Sequence, residues 1–174
     1  MAASAEEEKE EKEMRLYLAG AIENTRDGGA TWRQLITPKI EAIGCDVFDP
    51  VVHTDGGMVA GEMGHDKFSW PAWSNLRGLD PAEYYRIGKM IRKEDLIQVA
   101  RSDALIVRMD KATCNSDGTC GEMTLASFLN IPIYVFWDEG VNHFQVPAWK
   151  MWCNCEFYEN ESKLLEKLVK LLNR

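Results

Sequence analysis

Three short apolar runs, over residues 14–19, 104–107 and 131–137, are too brief for ordinary helices and are separated by segments with helical spacing. Apart from Arg15 they carry no charged residue and lack the alternation of a strand that shows one face to water. Such runs suit a parallel sheet covered on both sides. Strands that take turns with helices need right-handed crossovers, so this pattern excludes all-helical and all-antiparallel folds. The expected architecture is a single α/β layer system with helices on both faces.

The segments between the runs fill in that architecture. After the first strand, Gly20, Ala21 and Ile22 form a small-residue turn that lets backbone amides approach a ligand closely. Trp32, Leu35, Ile36, Ile40 and Ile43 recur at helical spacing and Gly44 stands at the C-terminal cap. Pro38 is expected to kink or divide that helix. Residues 46–49 read as a second strand closed by Pro50. Asp80-Pro81 begins a long helix whose apolar face is Tyr84, Ile87, Met90, Ile91, Leu96 and Val99, ending near Arg101. Beyond the strand at 104–107, residues 115–119 read as a loop and 121–129 as a helix. Residues 138–151 are irregular, 156–158 a short strand, and 162–172 a closing helix with Leu164, Leu165, Leu168, Leu171 and Leu172 inward. Counted together, these elements give an α/β, single-domain, flavodoxin-like (Rossmann-like) fold with a five-stranded parallel sheet.

At 174 residues the chain fits one domain. The division expected is a flexible acidic N-terminal tail over 1–13 and a domain over 14–174, with a lid or insertion at 50–80. Phe68, Trp70 and Trp73 in that insertion are costly to leave in water, so they cover a pocket or a partner subunit, or else close one end of the core. The net charge of −8 argues against a nucleic-acid polymer as partner and favours a small molecule. No segment approaches the roughly 20 apolar residues that cross a bilayer, so no membrane is expected. The acidic start is unlike a targeting peptide, and five cysteines without an export signal point to a cytoplasmic chain with reduced thiols. No metal site is expected, because Cys153 and Cys155 are too closely spaced and the three histidines lack paired spacing. No cofactor is expected either.

In an open α/β sheet, ligands bind outside the carboxyl ends of the strands. Glu122, following the strand at 104–107 and its polar loop, is therefore the candidate working carboxylate. With Tyr17-Leu18-Ala19-Gly20, Glu94-Asp95-Leu96, the run from Asp117 to Met123, and Ile131-Pro132-Ile133-Tyr134, the sequence resembles the nucleoside 2-deoxyribosyltransferase family, including its relatives that hydrolyse deoxynucleoside monophosphates. The resemblance covers roughly residues 14–140. It implies an enzyme that cleaves or transfers at the N-glycosidic bond of 2′-deoxynucleosides or their 5′-monophosphates, through a covalent deoxyribosyl ester on Glu122.

By the same resemblance Asp95 holds or protonates the leaving base, Tyr17 orients Glu122, and Asp117, with Gly118 and Thr119, contacts the sugar alongside the Gly20-Ala21-Ile22 turn. Asp110 competes with Asp117 for that role, because the spacing to Glu122 departs by a residue from the family's. Arg26 or Arg33 could receive a 5′-phosphate or remain solvated surface. The resemblance also implies a homo-oligomer. The residues alone leave other readings open: Glu122 as a first-turn helix acid, Asp95 in a surface ion pair with Arg92 or Arg101, Tyr17 as a plain core aromatic, Asp117 as a turn former. The alternative function is a catalytically inactive nucleotide-binding sensor on the same fold.

Overall fold

A computed structural model describes residues 13–22, 25–52, 77–138 and 140–173. The acidic tail and most of the aromatic insertion, with Phe68, Trp70, Trp73, His53 and His65, lie outside the described residues. The strands are β1 (Met14–Ala19), β2 (Cys45–Phe48), β3 (Ala104–Met109), β4 (Ile133–Trp137) and β5 (Cys155–Tyr158). The helices are α1 (Ala30–Glu41), α2 (Pro81–Arg101), α3 (Lys111–Cys114), α4 (Asp117–Phe128), α5 (Ala148–Met151) and α6 (Glu161–Leu172), with a 3-10 turn over His143–Gln145. The five strands are ordered β2-β1-β3-β4-β5 and every neighbouring pair is parallel. This is the flavodoxin-like order, whose direction of winding reverses between β1 and β3.

Side chains of successive strand residues point to opposite faces, and β1 divides its residues accordingly. Leu16 and Leu18 enter one core with Trp32, Ile36 and Ile40 of α1 and Leu164 and Leu168 of α6. Tyr17 and Ala19 enter the other with Val99 of α2 and Met123 and Ala126 of α4. Helices thus cover both faces. Among the described residues, no helix is long and apolar enough to cross a membrane.

Several boundaries differ from the sequence reading, each for a local reason. Helix α1 runs through Pro38 undivided. Gln34, whose carbonyl would have accepted the missing N–H, is exposed like Pro38, so the lost bond faces solvent. The buried stripe of α1 is Trp32, Arg33, Ile36 and Ile40, which leaves Leu35 at 59% exposure rather than in the core. Strand β3 extends to Met109 because Arg108 and Met109 continue the ladder against Phe136 and Trp137. Strand β2 starts and ends one residue earlier than expected, and β4 starts only at Ile133. In α6, Leu172 lies at the fraying end and is exposed.

The largest change concerns the loop expected at 115–119. Asp110 caps a single turn, α3, by accepting from the Thr113 N–H at 2.7 Å. Ser116 caps α4 by accepting from the Thr119 N–H at 3.2 Å. Two side-chain caps in close succession let the chain begin helical structure much earlier than its apolar pattern suggests. The stretch at 138–151 likewise holds the 3-10 turn and α5 instead of being wholly irregular.

Candidate functional site

The reversal of winding places the carboxyl ends of β1 and β3 side by side, and the segments leaving them are tied together. The Ala21 N–H donates to the Thr113 hydroxyl at 3.0 Å, joining the turn after β1 to α3 after β3. Beneath this junction lies Tyr17, fully buried, its ring stacked on Phe48 with centroids 5.5 Å apart. Its hydroxyl donates to Oε1 of Glu122 at 2.7 Å.

Glu122 reaches that position because α4 starts at Asp117 and buries Met123 and Ala126. Its carboxyl group therefore sits in the second turn, 8% exposed, against the sheet. A first-turn acid interacting with the helix dipole is excluded by this register; Asp117, exposed at the first helical position, is the residue of that kind. Oε2 of Glu122 is buried and has no hydrogen-bond partner among the described residues. A buried carboxylate oxygen without a donor is costly, which marks the position as unusual.

Three ionisable groups share this environment. Burial raises the Glu122 carboxyl above its ordinary value, opposed by the Tyr17 hydrogen bond and then by the charge of Arg33. Asp95, on α2, is raised well above its ordinary value by burial first and the Glu122 charge second. Glu122 receives a hydroxyl donor, whereas Asp95 faces a like charge, so Glu122 ionises first. Neighbouring carboxyls divided this way supply a base or nucleophile and an acid at one pH. The same burial, with Glu122 and Asp95, holds the Tyr17 phenol well above its usual range, so it remains a donor. Asp95 therefore belongs to an inward cluster and not to a surface pair with Arg92 or Arg101.

The structure brings Tyr17, Asp95 and Glu122 together and leaves Asp117 and Gly118 exposed at the α4 N-terminus. Thr119 is buried, its hydroxyl bonded to that of Ser116 at 3.1 Å. Asp110 is engaged as the α3 cap and lies 3.7 Å from Arg108. In the Gly20-Ala21-Ile22 turn the Ala21 N–H is already used, and a Cβ on Gly20 would come within 2.9 Å of the Trp32 ring. Arg33 corrects a further expectation. It is fully buried, with Nη1 and Nη2 bonded to main-chain carbonyls and Nε 3.4 Å from Asp49, so it is not available to an incoming phosphate. Its place on the apolar stripe, three residues before Ile36 and seven before Ile40, is the signal by which the sequence could have shown this.

Among the described residues no group of three or more His, Cys, Asp or Glu side chains could hold a metal ion. A separate cleft of about 720 Å³ lies on the α1 and α6 side, bordered by Trp32, Arg108, Trp137 and Glu161, and none of the predicted site residues lines it.

No protein-family model matches the chain, and no curated protein matches it. Solved structures do. A 2-deoxyribosyltransferase from the psychrotolerant bacterium Bacillus psychrosaccharolyticus aligns over 89% of this chain and 90% of its own, with a TM-score of 0.57 and 15% identity. The chain shares the fold of that transferase. A conserved protein from Enterococcus faecalis V583 aligns over 92% of this chain and 99% of its own, with a TM-score of 0.60 and 15% identity. The CMP N-glycosidase BcmB of Clostridium botulinum covers 88% of this chain at 17% identity, with a TM-score of 0.41 too low to argue from. The fold likeness to the first two extends over about nine-tenths of the chain.

Proposed function

We propose that this chain is a member of the nucleoside 2-deoxyribosyltransferase family and an enzyme of N-glycosidic bonds, acting on 2′-deoxynucleosides or their 5′-monophosphates through Glu122. The observation that carries the reading is the buried carboxylate of Glu122, held by the Tyr17 hydroxyl through Oε1 with Oε2 unpartnered among the described residues, beside the Asp95 carboxyl, which burial and the Glu122 charge push up. The shared fold with a 2-deoxyribosyltransferase supports it.

In this mechanism Oε2 of Glu122 attacks the anomeric carbon as the carbon–nitrogen bond breaks. The electron pair of that bond leaves with the base, which takes a proton from Asp95. The transition state resembles an oxocarbenium ion, and a close carboxylate both stabilises and captures it. The resulting sugar ester on Glu122 is then attacked at the anomeric carbon by water or by a second base, which releases the carboxylate. Asp95 recovers its proton from that nucleophile. Tyr17 fixes the carboxylate plane and moderates the upward pull of burial on Glu122. Asp117, Gly118 and Thr119, at the α4 N-terminus, are the proposed sugar contacts. Gly20, Ala21 and Ile22 form the opposite rim of the site.

The test is base release or base exchange from a panel of 2′-deoxynucleosides and their 5′-monophosphates, followed by chromatography. Glu122→Ala is expected to lose activity by about 10³-fold or more while staying folded. Undiminished turnover by that variant would sink the assignment.

A further inference from the structure

The Glu122 site contains a cation that its proposed chemistry does not use. Arg33 projects from α1 and is fully buried. Its Nη1 donates to the Gly29 carbonyl at 2.8 Å and its Nη2 to the carbonyls of Gly20 at 3.0 Å and Leu18 at 3.4 Å. Its Nε lies 3.4 Å from Oδ1 of Asp49, and its guanidinium carbon sits 4.6 Å from the Trp32 ring centre. Room for the group is made by Gly29, whose φ is 73°; a Cβ there would meet the Ala21 carbonyl oxygen at 2.3 Å and Nη1 at 2.5 Å.

Burying a guanidinium is expensive unless charge and hydrogen bonds compensate it. Carbonyls supply the hydrogen bonds, and Asp49 supplies one carboxylate. Leu18 and Gly20, whose carbonyls it holds, flank Ala19, the last residue of β1, two residues beyond Tyr17, the donor to Glu122. Among the described residues, the ionisable groups facing Glu122 are Tyr17 from β1, Asp95 from α2 and Arg33 from α1. Arg33 in turn faces Asp49 after β2, and Asp95 faces Glu94 on its own helix. Arg33 is the single cation in that set.

We propose that Arg33 is a positioning residue of this site, fixing the end of β1 and placing a permanent positive charge behind Tyr17 and Glu122 so that Glu122 is ionised when the site operates. The proposal rests on the reading of Glu122 as the working carboxylate. A guanidinium suits the task because it stays charged even when buried, whereas a lysine readily surrenders its proton there. Loop anchoring alone would need donors but no charge.

The two roles separate in the titration of Glu122. Protein labelled with ¹³C at glutamate carboxyl carbons would be followed by NMR in an Asp95→Asn background, where the coupling between the two carboxyl groups is removed. The Glu122 signal is assigned by its loss in Glu122→Gln. Arg33→Met is expected to move the midpoint to higher pH, Arg33→Lys to move it in the same direction by less, and Asp49→Asn to move it to lower pH. The same midpoint in the parent, Arg33→Met and Asp49→Asn would overturn the proposal. Should Arg33→Met fail to fold, Asp49→Asn decides alone, through a midpoint that falls or one that does not. The acid limb of the base-release rate, measured without the Asp95 change, moves in the same directions. Absence of base release from every substrate of the panel would count against the proposed function, while the NMR titration still decides the role of Arg33.

Discussion

The two faces of the sheet have different chemistry although one strand serves both. On the α1 and α6 side, Leu16, Leu18, Ile36, Ile40, Ile106, Leu164 and Leu168 pack into one apolar cluster. On the α2 and α4 side, Tyr17, Val107 and Met123 share the interior with Glu122, Thr113 and Thr119. The first arrangement is what burial of apolar area favours, at about 25 cal/mol per Å². The second forfeits part of that gain, since each buried polar group must recover its lost hydration. Interiors that break the apolar rule do so where a site needs it. Apart from the buried Arg33 of α1, the contrast separates the face that stabilises the domain from the face that bears its proposed chemistry.

The sharpest way to break the contrast is the Glu122→Ala variant, expected to lose about 10³-fold in base release or exchange with little loss of fold. Its mirror image is Leu164→Ala, which empties a fully buried position on the opposite face. That change is expected to cost about 2–5 kcal/mol in chemical denaturation and to leave turnover of the folded fraction unchanged. If instead turnover fell with stability intact, the division of labour between the faces would be wrong.

Tyr17→Phe tests the bridge from sheet to site. Losing a hydrogen bond to a charged group is expected to lower the rate by about 10–100-fold, corresponding to about 1.5–3 kcal/mol. An unaltered rate would reduce Tyr17 to a core aromatic.

The smallest effect concerns the cost of keeping Asp95. Its folded-state titration lies above its ordinary value, so between those two points the native state binds more protons than the unfolded chain. Its contribution is thus fully present below the unfolded value and is lost as pH rises through the folded one. Asp95→Asn is expected to flatten this fall and to raise Tm by about 2–4 °C at neutral pH, while reducing activity. A Tm difference that does not depend on pH would show that Asp95 carries no such burden.

Much of the fold was legible from local pattern. Apolar runs of strand length predicted β1, β3 and β4, and Asp80-Pro81 marked the start of α2, because these signals depend on neighbours within a few residues. The start of α4 was not legible. Ser116 and Asp110 act as caps through side-chain bonds to amides three residues on, and the same residue types also make loops. That error of about a turn changed the meaning of Glu122, from an acid at a helix end to one buried in the second turn. Arg33 was misread because an arginine beside a loop is ordinarily solvated, and only its position on the stripe of Trp32, Ile36 and Ile40 said otherwise.

The sequence by itself determined the order of strands and helices, the both-faces-covered sheet and the identity of Glu122 and Tyr17 as chemically able side chains. Only the tertiary structure decided that Tyr17 and Glu122, 105 residues apart, share a 2.7 Å hydrogen bond and that the charges of Arg33 and Asp95 come within electrostatic reach of Glu122. The reason is the range of the forces. Strand and helix formation follows from spacing along the chain, whereas desolvation and Coulomb interaction depend on what the folded sheet brings within a few ångströms.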